Sequence, residues 1–79
     1  LRRHESVHLG NLGIVHRKSA SLEEAIRSLN EAMQIAIEVS DRELQGIWSG
    51  HLGNTYFDAR DYSAAEALTK GDGYRKRAA

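Results

Sequence analysis

The sequence predicts an all-α chain of antiparallel helix hairpins, stacked as an α-solenoid of about two repeats. Three observations carry this. The 79 residues include no proline, apolar residues recur at steps of three and four, and a short glycine-bearing motif returns after 40 residues. A chain of this length buries only about 60% of the surface it exposes when unfolded, so each helix must commit its apolar face to a neighbour.

The segment from Arg3 to Lys18 reads as the first helix, with Val7, Leu12 and Val15 as its apolar residues. The second runs from Leu22 to Val39. Leu22, Ala25, Ile26, Leu29, Ala32, Met33 and Ala36 fall on one face, with Ser21 placed as N-cap and Glu23 and Glu24 in the first turn, where a carboxylate meets the positive helix end. Ile35 and Val39 form a second apolar edge, so this helix is expected between two neighbours. The third helix spans about Glu43 to Ala59, capped by Asp41. Leu44, Trp48, Leu52 and Tyr56 repeat every four residues, beside Ile47 and Ala59. A fourth is expected from Asp61 through Ala64, Ala65 and Leu68 until Gly71-Asp72-Gly73. Short connections make successive helices antiparallel.

Gly-Asn-Leu-Gly at 10–13 and Gly-His-Leu-Gly at 50–53 set the internal repeat. The 40-residue offset persists in the pairs His16/Tyr56, Leu22/Tyr62 and Ala25/Ala65, whereas an offset of 43, suggested by His-Leu-Gly-Asn at 8–11 and 51–54, loses those matches. A helical glycine costs roughly 1 kcal/mol relative to alanine, and Gly13 and Gly53 need a compensating gain. Ala25 and Ala65, twelve residues on, supply it if each glycine faces its alanine and the two helix axes approach closely.

These residues resemble the tetratricopeptide repeat, in its longer form with a period near 40, as in G-protein-regulator and spindle-orientation scaffolds and many bacterial regulators. Asn11-Leu12-Gly13, Ala25, Leu29 and Ala32, then Ile35 through Arg42, carry the likeness in the first copy, and Leu52-Gly53-Asn54-Thr55-Tyr56, Asp61-Tyr62 and Ala65 in the second. On this reading 1–79 is one domain: a first repeat at about 3–40, a second at about 42–70, and a basic tail at 71–79. Leu1 in place of a methionine suggests an excised fragment or a processed product, and the likeness a fragment of a longer array. Departures are His16 for the family's tyrosine, and Ala20 and Arg60 for the glycine between its two helices. Thr69 and Asp72 stand at the offset partners of Leu29 and Ala32, which shortens the expected fourth helix.

The resemblance implies a non-catalytic protein-interaction module that binds a peptide segment or a protein partner in a concave groove lined by the first helix of each pair. Its inner positions are Val7, Gly10, Asn11, Ile14, Arg17 and Lys18 in the first copy, and Ile47, Gly50, His51, Asn54, Phe57 and Asp58 in the second. Gly10 and Gly50 would expose backbone to a ligand. Asn11 and Asn54 can each donate and accept, and Val7, Ile14, Ile47 and Phe57 offer apolar anchors. Arg17 and Lys18 at one rim favour an acidic ligand, with Asp58 opposing locally. The family's lysine clamp for a C-terminal carboxylate is not expected, since Gly10 and Ile14 occupy its positions.

No enzyme and no cofactor is expected, because nucleophile–base pairs, phosphate loops and cofactor fingerprints are absent from the sequence. His4 and His8 have a spacing that could share a metal, but no third ligand is predictable, so no metal site is expected. Glu23, Glu24, Glu31 and Glu38 read as the wet side of an amphipathic helix. Eleven basic side chains balance eleven acidic ones, which removes any overall field for nucleic acid or an anionic membrane; Arg2-Arg3 and Tyr74-Arg75-Lys76-Arg77 read as solvated ends. No apolar run approaches the roughly 20 residues that span a bilayer, and with no visible leader a cytoplasmic location is expected. The alternative function is self-association through exposed repeat ends, with Ile35, Ile37, Val39, Leu44 and Trp48 expected to carry the uncovered apolar surface.

Overall fold

The turns set the architecture. In a computed structural model of the chain, which describes residues 2–60, three helices of 17 residues follow one another: α1 (Arg2–Lys18), α2 (Leu22–Glu38) and α3 (Arg42–Asp58). After α1, Ala20 adopts a left-handed backbone conformation (φ 64°). Its N–H donates to the Arg17 carbonyl at 3.0 Å, and the Ser21 N–H to the His16 carbonyl at 2.8 Å, a Schellman closure that satisfies the last carbonyls of the helix. The turn after α2 repeats it, with Ser40 at φ 56° and bonds from Ser40 N–H to Ile37 and from Asp41 N–H to Ala36. Arg60 takes the same conformation after α3, at φ 66°. Three non-glycine residues therefore occupy the conformation the family's glycine would adopt without a Cβ clash.

One residue per turn also opens the next helix. The Asp41 side chain accepts from the Leu44 N–H at 3.0 Å, as expected of that cap. Ser21 stands at the same position of α2 but its side chain makes no capping bond, so there the cap is positional only.

α2 packs against both α1 and α3, as its two apolar edges required. Ala25, Leu29, Ala32 and Ala36 are fully enclosed, and Ile35 is buried. Gly13 faces α2: a Cβ there would stand 2.6 Å from Leu29 Cγ and 3.2 Å from the Ala25 carbonyl. The glycine–alanine approach expected within the first hairpin is present. Its second copy involves Ala65, and with the expected fourth helix, the start of the second repeat's return and the basic tail it lies outside the described residues.

Two sequence expectations about burial are corrected. Leu12 and Val15 are exposed, 44% and 57%, and the buried line of α1 is Ser6, Gly10 and Gly13. Leu44 and Trp48, expected to be uncovered, are 3% exposed and belong to the core with Leu29, Ala32, Ala36 and Leu52. The reason is the same in both cases: α3 inserts its large residues onto the small-residue face of α1. Ile35 is buried as well, whereas Ile37 and Val39 are exposed as expected.

Candidate functional site

Ion pairs and hydrogen bonds fix α1 and α3 side by side and parallel. Arg3 Nε donates to Asp41 at 2.6 Å near the start of both helices, and Arg17 Nε to Asp58 at 2.6 Å near their ends. Between them, the Trp48 indole N–H donates to Ser6 Oγ at 3.0 Å, and the Ser6 hydroxyl donates to the Ala32 carbonyl at 2.7 Å. The Ser6 hydroxyl thus joins all three helices in a site shielded from water, where an unmade hydrogen bond costs most. Arg2 adds bonds of 2.6 Å to Glu5 and to Glu38, which ties the open ends of α1 and α2.

The twelve expected groove residues divide. On α1, Asn11 and Lys18 are exposed, while Val7, Ile14 and Arg17 are half-buried. Val7 and Ile14 pack against the core, so they offer a ligand only their outer edges. Gly10 is buried, and a Cβ on it would lie 2.1 to 2.4 Å from three ring carbons of Trp48. This corrects its expected role: its bare backbone seats an indole of the same chain and is not presented to a ligand. On α3, Ile47 (42%), Asn54, Phe57 (57%), Gly50 and Asp58 are exposed. Gly50 has no described residue within 4 Å of its Cβ position.

Arg17 and Asp58 face one another directly, so the positive rim expected of Arg17 and Lys18 falls largely to Lys18. His51 is half-buried with its ring 6.1 Å from that of Trp48. Burial, and next the positive charge of Arg17, hold its pKa below the ordinary 6.5. Its Nδ1 is enclosed without a hydrogen-bond partner among the described residues. Asp41 is also held low, first by the Leu44 N–H and then by Arg3.

Among the described residues no group of three histidine, cysteine or carboxylate side chains stands close enough to hold a metal. His4 and His8 are exposed on α1, and Glu5 between them is engaged by Arg2. No described helix is long and apolar enough to cross a membrane.

Sequence reasoning missed Ser6 and the seat at Gly10. The signal was present as small residues at helical spacing, Ser6, Gly10 and Gly13, and again Gly46, Gly50 and Gly53. A search for apolar periodicity passes over it.

Among known proteins, the family model described as tetratricopeptide repeat matches residues 5–70. No curated protein and no solved structure matches the chain.

Proposed function

Because the chain belongs to the tetratricopeptide repeat family, whose members generally mediate protein–protein interaction, we propose that it is a non-catalytic interaction module that takes a peptide segment or partner protein along the face shared by α1 and α3. One observation supports this most directly. Asn11 on α1 and Ile47 and Asn54 on α3 remain exposed on two helices whose relative position is held by bonds at both ends. A rigid pair of helices that presents carboxamides beside an apolar side chain can read a ligand's main chain and anchor one of its side chains without first ordering itself. Lys18 favours an acidic group at the far end of the ligand.

Peptides selected from a display library on the immobilised 79-residue chain supply the probe. Replacing Ile47 and Asn54 by alanine should weaken a selected peptide at least tenfold, with the circular dichroism unchanged. Loss of binding on replacing Arg27 and Gln34 of α2, with the Ile47/Asn54 variant still active, would move the site to the other side of the molecule and overturn this reading.

A further inference from the structure

The repeat offset of 40 residues relates each position of α1 to one of α3, and the two helices are buried on opposite sides. The face of α3 that packs onto the first hairpin carries Trp48, Leu52 and Thr55, exposed by 3%, 2% and 0%. Forty residues earlier the same face of α1 carries His8, Leu12 and Val15, all exposed, with Leu12 at 44% and Val15 at 57%. Conversely, Ser6 and Gly10 of α1 receive the Trp48 ring. Their equivalents Gly46 and Gly50 are exposed, and no described residue lies within 4 Å of a Cβ at either. The contact between α1 and α3 is thus a ring-bearing face on a small-residue seat, and each helix also carries the half of that contact which has no counterpart among the described residues.

We propose that a second copy of this chain docks the His8, Leu12 and Val15 face of its α1 onto Gly46 and Gly50 of α3, head to tail, in the way α3 docks onto α1. The seat does not stand on its small residues alone, because its equivalent is filled by Trp48 in the same molecule. Charge supports the same occupant. Within the chain Arg3 and Glu43, forty residues apart, stand at 3.9 Å. The same stacking step applied between copies brings Glu43 opposite Arg3 of the second copy, again with opposite signs. The intermolecular contact is the weaker of the two. The imidazole of His8 is smaller than an indole, and Gly46 lacks the hydroxyl by which Ser6 holds Trp48.

A contact of this kind joins two different faces, so it continues from copy to copy and closes only into a ring, or not at all. Leu12 is not among the expected groove residues, whereas Gly50 borders Ile47 and Asn54, so the test reads association and not peptide binding. The test is sedimentation velocity from micromolar to millimolar concentration on the wild type, on Gly50→Lys, on Leu12→Glu, and on an equimolar mixture of the two variants. Gly50→Lys adds a side chain where no described residue stands within 4 Å, and Leu12→Glu alters an exposed one; circular dichroism verifies that both fold. The wild type should grow in mass with concentration without stopping at a dimer. Each variant alone should stay monomeric, and the mixture should give a one-to-one heterodimer through its one intact pair of faces. A wild type that stays monomeric throughout overturns the proposal and leaves these faces to another kind of helix. It is equally overturned by Gly50→Lys associating as the wild type does, or by a mixture that remains monomeric while the wild type associates.

Discussion

The indole N–H of Trp48 and the hydroxyl of Ser6 meet at 3.0 Å across the interface of α3 with α1, and the same hydroxyl donates onward to the Ala32 carbonyl of α2 at 2.7 Å. Both residues are buried, Ser6 completely. The large ring on α3 is thereby oriented over Gly10 by a polar contact as well as by packing.

Removing Ser6 strands the Trp48 N–H, and removing the indole leaves the Ser6 hydroxyl with its bond to Ala32 alone. Ser6→Ala should cost about 1–3 kcal/mol, the usual consequence of leaving a buried donor unmade. Trp48→Phe should cost a similar amount, and the double variant less than the two together, with a coupling of about 0.5–3 kcal/mol as for residues in direct contact. Urea melts of the four proteins measure it; strict additivity would show that the bond contributes nothing.

Gly10 and Gly50 are equivalent in the repeat, and alanine should act on them with opposite sign. At Gly10 the new methyl would overlap the Trp48 ring at 2.1–2.4 Å, and the overpacking should cost about 1–3 kcal/mol or more. At Gly50 no described residue lies within 4 Å, and the gain in helix propensity should stabilise by up to about 1 kcal/mol. Thermal melts at a concentration where the chain is monomeric separate the two. Equal shifts would contradict the seat at Gly10.

Ala20 sits at φ 64°, where a Cβ is disfavoured by roughly 1–2 kcal/mol. Ala20→Gly relieves that strain and loses about 0.5–1 kcal/mol through the freer unfolded chain, so a net stabilisation of roughly 0.5 kcal/mol is expected in denaturant melts. Ala20→Val should destabilise, since a β-branched side chain is still less suited to that conformation.

His51 makes stability depend on pH with a definite sign. Its folded pKa lies below the ordinary 6.5 because burial and Arg17 disfavour the imidazolium, so the unfolded chain takes up the proton first. Its contribution is fully present above 6.5 and is lost as pH falls from there through the folded value. The melting temperature should decline over that window, and His51→Gln should flatten the decline. An unchanged slope in the variant would remove His51 as the cause.

Arg17 and Asp58 are partly exposed, 31% and 39% at their side chains, and breaking their bond should cost no more than about 1 kcal/mol. Its effect on recognition should be larger than on stability. Asp58→Asn releases the charge of Arg17 beside Lys18, and an acidic peptide selected on the chain should bind more tightly at low salt, with the gain shrinking as salt rises.

The amino-acid sequence by itself determined the three described helices and their order. The stripe of α2, the Asp41 cap and the 40-residue repeat are local or periodic properties, set by backbone geometry and by the apolar residues of each segment. The Gly13–Ala25 approach was also legible, because a costly helical glycine in two copies asks for a close partner. Which face of α1 is covered was decided only by tertiary structure. Val7, Leu12 and Val15 are its apolar residues, yet Ser6, Gly10 and Gly13 are the ones enclosed, because a helix carrying Trp48 needs a shallow place to lie. For the same reason Gly10 proved to be a seat for an indole, and Trp48, which looked like surplus surface, lies in the core. Burial is a property of pairs of surfaces. A single segment shows how much it could bury, but the depth of the neighbour that meets it decides which of its faces does so.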